Sequence, residues 1–302
     1  MKHAKLKRLT LAAILGASIA FCPFNTAQTF ATANTSVNVN VNVTQNYIDW
    51  TKGKDAVITA KGVGLPKNGQ TALARVAAIM DAQRNILGII KGVSIDSDTL
   101  MEDLMVASDT VKRQISGLLK GAQIVREGEN PDGSYFVEMS VPLFGEKDSV
   151  AAIAIPEVKK TTHLTPLPKV SPKETKVPPK EVRAIKNAAY TGVVVDASGL
   201  GLEPTFSPVI FDTNGRAIYG VNNIDADFAI REGMVGYAKS VESATASSRV
   251  TANPLVVKAV SVKGGTSPNK VNAVVSVEDG DRILLAKESS KMLDKCAVMM
   301  VR

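Results

Sequence analysis

The chain has 302 residues, 45% hydrophobic, 22% charged and only 5% aromatic. This balance is that of ordinary globular protein, long enough for about two domains with cores of Val, Ile, Leu, Met and Ala rather than rings. Two cysteines (Cys22, Cys296) and two histidines (His3, His163) exclude a disulfide framework and Cys/His metal sites. The formal net charge is +7 and the pI about 9.3. Lys2, Lys5, Lys7 and Arg8 supply four of these charges and residues 156–189 carry eight cations against three acids, so the rest sums to about −2. The basic pI belongs to a leader and a spacer, and no nucleic-acid partner is expected.

Residues 1–33 read as a signal peptide. The four cations precede an apolar stretch over 9–21, too short for a membrane span of about 20 residues, and Ala31-Thr32-Ala33 gives a small-x-small cleavage site before Asn34. Cys22 ends the apolar stretch but follows the bulky Phe21, so lipidation there is the lesser alternative to cleavage after Ala33. Residues 34–46 form an Asn/Val-rich arm in which Val37, Val39, Val41 and Val43 alternate with asparagines. That is a strand pattern for pairing with a neighbouring chain or, as favoured here, an extended terminus.

A first α+β domain is expected over 47–150. Ala56-Val57-Ile58-Thr59-Ala60 opens it as a strand, closed by Gly62 and Gly64, and Leu65-Pro66-Lys67-Asn68-Gly69 turns the chain. A helix over 70–90 places Leu73, Val76, Met80 and Leu87 on its core face, with Ile79, Ile86 and Ile90 beside them. Ala74, Ala78, Asp81 and Asn85 make a stripe of small and polar residues that permits close approach to the sheet or, less favoured, to a second subunit. Asp81 and Arg84 pair one turn apart. A second helix starts near Thr99, with Thr99 and Glu102 as a capping box and Leu104, Val111, Ile115 and Leu118 as its apolar face. Strands over 122–127 and 134–141 flank the hairpin turn Asn130-Pro131-Asp132-Gly133. Trp50 is expected at the edge of this domain.

Residues 151–189 read as a Pro/Lys-rich linker. Pro156, Pro166, Pro168, Pro172, Pro178 and Pro179 make an extended, semi-rigid tether whose lysines offer a secondary contact with peptidoglycan. A second α+β domain follows over 190–302. Its strands are expected over 191–197, 209–212, 217–221, 255–262, 270–277 and 297–301, with helices over 225–233 and 281–293 and a hairpin at Asp212-Thr213-Asn214-Gly215. The fold class is thus α+β: two small domains, each with helices packed on a mainly antiparallel sheet, joined by the linker.

No catalytic, cofactor-binding or metal-binding residues are assigned, and no cofactor. His163, the one histidine beyond the leader, falls in the tether, where it cannot be held within reach of a nucleophile. Asp212-Thr213-Asn214-Gly215 lacks the remaining ligands of a calcium loop. Gly199-Leu200-Gly201 follows a strand, but Pro204 stands where a dinucleotide fingerprint needs glycine. A carboxylate pair for glycan hydrolysis stays open, weakened by the scarcity of sugar-stacking aromatics.

The first domain resembles the LPP-type envelope lipoprotein family, which includes flagellar FlgP and the N-terminal domain of FlgT. The resemblance lies in Ala56-Val57-Ile58-Thr59-Ala60-Lys61-Gly62-Val63-Gly64 and in the helix Ala74-Arg75-Val76-Ala77-Ala78-Ile79-Met80-Asp81-Ala82-Gln83-Arg84-Asn85-Ile86-Leu87. It extends to Lys91-Gly92, Gly121-Ala122, Asp132-Gly133-Ser134-Tyr135-Phe136-Val137 and Val141-Pro142-Leu143. It implies a small α+β unit in the periplasm or outer membrane, with no enzymatic activity. The expectation is therefore a non-catalytic exported cell-envelope structural protein of a flagellar or outer-membrane assembly, with other envelope proteins or copies of itself as partners. The alternatives are a peptidoglycan- or ligand-binding envelope module and, further off, a carboxylate-dependent glycan hydrolase.

Overall fold

The computed structural model describes residues 47–161, 168, 170, 175–264 and 269–302. The leader, the Asn/Val arm, Cys22 and His163 lie outside the described residues.

In chain order, β1 (Tyr47–Ile48), the 3-10 segment Trp50–Asp55 and β2 (Val57–Gly64) lead into the long helix α1 (Thr71–Lys91). Then come α2 (Met101–Ala107), α3 (Asp109–Lys120), the strands β3 (Gln123–Glu129) and β4 (Tyr135–Pro142), and the helices α4 (Val150–Thr161) and α5 (Pro179–Asn187). The second half runs β5 (Gly192–Asp196), β6 (Ile210–Asp212), β7 (Ala217–Tyr219), α6 (Ala226–Glu232), β8 (Gly236–Ala238) and α7 (Val241–Thr245). It ends β9 (Pro254–Lys263), β10 (Asn272–Val275), α8 (Val277–Ser289) and β11 (Val298–Val301). Two sheets result, of order β1-β2-β4-β3 and β7-β6-β10-β9-β5-β11-β8, each carrying helices, so the α+β class holds.

The first sheet is antiparallel throughout its described pairings. In the second, the β10–β6, β11–β5, β11–β8 and β5–β9 pairings are parallel, and β10–β9 and β6–β7 are antiparallel. The departure from a mainly antiparallel sheet has a cause. Hairpin turns are local signals, whereas β5, β8 and β11 meet through helical crossovers. Their near-continuous apolar runs are those of strands covered on both faces, by the main core on one side and by α7 on the other.

Helix α1 lies unusually close to its sheet. A Cβ on Gly62 would sit 2.1 Å from the Ala78 carbonyl oxygen, and one on Gly64 would sit 2.0 Å from that of Ala74. The glycines let the backbones meet, so only alanines fit between them: Ala74, Ala78 and Ala82 are buried, followed by Ile86 and Ile90. The small-residue stripe thus faces inward. Leu73, Val76 and Met80, expected in the core, are turned out to solvent. The polar members of the stripe cap the open edge of β2 beyond β1. Asp81 Oδ2 accepts from the Val63 amide at 3.1 Å, Asn85 Nδ2 donates to the Lys61 carbonyl at 2.8 Å, and Arg84 pairs with Asp81 at 3.4 Å. A helix supplying both donor and acceptor blocks further strand pairing there.

The second expected helix is two. Ser108 breaks it and caps α3 by accepting from the Val111 amide at 3.4 Å. The Thr99/Glu102 box does not form. Asp96 Oδ1 draws the Thr99 amide into a turn, Asp103 Oδ2 accepts from the Leu100 amide at 2.7 Å, and Glu102 pairs with Lys91 at 2.9 Å. Helix α8 starts earlier than expected because Ser276 Oγ accepts from the Asp279 amide at 3.0 Å.

The linker expectation is corrected at both ends. Residues 150–161 are helix α4, with Val150, Ala151, Ile153, Ala154, Ile155 and Val158 buried and Pro156 inside the helix. It packs on α2 and α3 on one side and α6 on the other. The apolar run around Pro156 gains more from burial than the missing hydrogen bond costs. Pro179 starts α5 at the helical position where its fixed φ is favourable, and Val182 and Ile185 are buried as α5 docks on α8.

The described residues form one compact unit with a core that runs through both sheets. Trp50 is at its junction, not at an edge. Its ring meets Phe144, Phe206 and Tyr237 edge-on at centroid distances of 6.2, 5.5 and 5.9 Å, and Phe144 meets Phe206 at 5.6 Å. Such pairs each add about 0.5–1.5 kcal/mol beyond area burial. Backbone bonds reinforce them: Phe206 and Ser207 amides donate to the Ser94 and Ile95 carbonyls at 3.1 and 2.8 Å, and the Gly145 amide donates to Ile230 at 2.9 Å.

Two substitutions test these contacts. Gly62→Ala forces α1 off the sheet and should cost about 3 kcal/mol, at the upper end for overpacking, read from the urea midpoint. Trp50→Ala should cost about 3 kcal/mol and open the junction between the sheets to limited proteolysis before global unfolding.

Candidate functional site

A cavity of about 560 Å³ lies between the 3-10 segment and the amino-terminal ends of β5, β8 and β11, a size that suits a small molecule. Thr191 precedes β5, Gly236 opens β8 and Ala297 precedes β11. Its outer wall is the turn Thr51–Asp55. Asp49 fixes that turn, its Oδ1 accepting from the Thr51 amide at 3.1 Å and from the Thr51 hydroxyl at 2.6 Å, and Gly53 at φ +56° closes it. The Thr51 hydrogen bond is the main reason that the Asp49 carboxyl titrates below its ordinary value. The turn brings Lys52 and Lys54 to the cavity, and Lys295 lines it from the segment before β11.

Arg249 forms the inner wall. Nη1 donates to the carbonyls of Gly233 (3.0 Å) and Cys296 (2.9 Å), and Nη2 donates to the Glu232 carbonyl. Among the described residues no carboxylate lies within 4.0 Å of the guanidinium, and none pairs with Lys52, Lys54 or Lys295 either. Burial lowers the arginine pKa, opposed by smaller attractions to Tyr219, Cys296 and Glu232, yet an arginine keeps its charge at neutral pH. Gly236 makes room for it: a Cβ there would sit 3.0 Å from Nε and 2.4 Å from Met299 Sδ. Thr251 and Cys296, at φ +55° and +52°, hold left-handed backbone beside the site, a conformation unfavourable for side chains larger than glycine. The Cys296 thiol is buried, which pushes its pKa up to about 11, so it is no ready nucleophile.

The cavity is therefore a cationic recess, with Asp55 and Glu232 as the acids in its wall. It sits at the opposite end of the parallel strands from the carboxyl-end crevice that binds nucleotides in open α/β sheets. At that carboxyl end, Gly199 and Gly201 are both at φ +74° in a turn, and the next element is β6 rather than a helix, so the loop has no phosphate-binding helix terminus.

A second charged cluster is structural. In the hairpin between β6 and β7, Asp212 Oδ1 accepts from the Asn214 and Arg216 amides at 3.0 and 2.9 Å, and Oδ2 accepts from Arg216 Nε at 2.8 Å. Arg216 Nη2 donates to Asp281 Oδ1 at 2.6 Å, while Asp281 Oδ2 accepts from the Thr175 hydroxyl (2.8 Å) and the Lys176 amide (3.0 Å). Both carboxylates are buried and fully engaged, so neither resembles a hydrolase acid or base with room for substrate. The cluster ties the chain before α5 to α8 and to the hairpin. Burial raises the Asp281 pKa, but the bonds from Arg216, Lys176 and Thr175 outweigh it and leave the carboxyl below its ordinary value. A depressed folded pKa means stability that is present above the unfolded value, near 3.8, and is lost as pH falls through the lower folded one. Asp281→Asn should cost about 2 kcal/mol at pH 7, below the cost of breaking a fully buried pair because Arg216 keeps Asp212 and some solvent. Urea midpoints between pH 6 and 2 should fall less steeply for the variant than for the wild type.

The cavity residues escaped sequence analysis because nothing local marks them. Lys52, Arg249 and Lys295 belong to no motif along the chain, and the one hint is Gly236 beginning a strand.

Residues 192–302 match the family model of the second domain of Treponema pallidum Tp0624. The match spans the whole seven-stranded sheet and includes Gly236, Arg249 and Lys295, but not the 3-10 turn or the first sheet. No curated protein matches the chain.

Proposed function

We propose that this chain is a non-catalytic, exported structural protein of the bacterial cell envelope that works by assembling with other envelope proteins or with copies of itself. One observation carries the reading: Leu73, Val76 and Met80, 54%, 52% and 61% exposed, recur with Ala77 at i, i+3, i+4 and i+7 on the outer side of α1. A helix that spends its alanines on its own sheet and its larger residues on solvent offers an adhesive face. Fully burying such a side chain is worth about 1.5–3 kcal/mol, so a partner covering three of them would gain a few kcal/mol. The basic, apolar leader supports export, and the resemblance of the first sheet and α1 to LPP-type envelope domains supports a periplasmic or outer-membrane setting. A flagellar or outer-membrane assembly is the setting that resemblance suggests.

The test is fractionation and mass. Cells should yield the protein in envelope extracts, and light scattering should give a mass above the monomer's. Val76→Glu with Met80→Glu should release it as a folded monomer with an unchanged far-UV spectrum, because both side chains face solvent in the single chain. A wild-type protein that is strictly monomeric and absent from envelope fractions would defeat the proposal.

A further inference from the structure

The cavity beneath Trp50–Asp55 is not used by the assembly role. We propose that it is a binding site for a small organic anion, phosphate- or carboxylate-bearing, anchored on Arg249 and ringed by Lys52, Lys54 and Lys295. The two ideas stand on different surfaces, and either can fail alone.

The anchor is pre-organised. Three backbone carbonyls hold Arg249, two through Nη1 and one through Nη2. Nε–H has no hydrogen-bond acceptor among the described residues, and in a planar guanidinium Nε–H shares an edge with one Nη N–H. Such an edge offers two parallel N–H bonds to the two oxygens of a carboxylate or phosphate. Because carbonyls rather than a carboxylate fix the side chain, its charge is not neutralised at the site. An arginine in this state costs desolvation without a countercharge, which an anionic occupant would supply.

The surroundings agree. The three lysines line the same cavity from two separate parts of the chain, and together with Arg249 they outnumber Asp55 and Glu232 by four to two. The volume of about 560 Å³ exceeds what a bare inorganic ion needs, and Phe228, Met292 and Met299 supply apolar wall for an organic body. Gly236 leaves room here, since a Cβ would clash with Met299 Sδ at 2.4 Å and crowd Arg249 Nε at 3.0 Å.

Titration calorimetry of the purified protein at low ionic strength tests this with inorganic phosphate, glycerol 3-phosphate and citrate, and with glycerol as the neutral control. The expected result is heat from at least one organic anion, none from glycerol, and affinity that falls as salt is raised. Glycerol 3-phosphate without citrate would assign phosphate as the recognised group, and the reverse would assign carboxylate. Lys52→Met with Lys295→Met, both exposed and outside the core, should weaken binding at least about tenfold, as for the loss of one charge-assisted contact. Arg249→Gln should abolish it, and if that variant does not fold, the lysine pair decides. Silence from all three anions, or equal affinity in the lysine variant, would overturn the proposal.

Discussion

The contact of Trp50 with Phe144, Phe206 and Tyr237 is the constraint on which the arrangement of the molecule rests. Trp50 comes from the turn before β2 and Phe144 from just after β4, whereas Phe206 lies in the loop between β5 and β6 and Tyr237 in β8. In a chain so poor in aromatics, four rings at one point are a concentrated use of them. Edge-on geometry fixes relative orientation as well as adding energy. Tyr237 is held in turn by Thr205, whose amide donates to the phenol oxygen at 3.0 Å and whose hydroxyl reaches the Ser94 carbonyl at 3.0 Å. The junction therefore sets the position of the 3-10 turn, and with it the outer wall of the cationic cavity.

A second constraint acts within the first sheet. Gly62 and Gly64 remove the side chains that would keep α1 at ordinary distance, and the helix answers with alanines. The cost is that its larger residues lie outward. Close packing inside and an apolar stripe outside are two consequences of one backbone approach. The same approach lets Asp81 and Asn85 reach the edge of β2 and close it, so the edge is protected while the helix face is left adhesive. In the proposed assembly, contact through this surface runs through side chains rather than through strand addition.

Charge is handled in two contrasting ways. At Asp212, Arg216 and Asp281 every charged group meets an opposite charge or an amide, and the product is a fastening between α8, a hairpin and the segment leading to α5. At Arg249 the guanidinium is fastened by neutral carbonyls, and its positive charge is left for something else to meet. The first arrangement holds the fold together. The second has the form of a receptor for an anion.

Much of the fold was legible in the residues themselves. The alternation in β4, the turns at Gly133 and Gly215, the strands of the second half other than β8 and the α+β class all follow from period, turn chemistry and apolar runs, which act over a few neighbours. Which face of α1 points inward was not, because hydrophobic pattern favours Leu73 and Met80 and only the approach of Gly62 and Gly64 reverses the choice. Nor could local signals show that the proline-rich stretch holds buried helix α4, that β5, β8 and β11 lie parallel, or that Trp50 joins the two sheets. The cavity is furthest from the sequence. Lys52 and Lys295 are 243 positions apart, and no pattern along the chain relates them. They become one site only when the junction brings the turn against the ends of the second sheet.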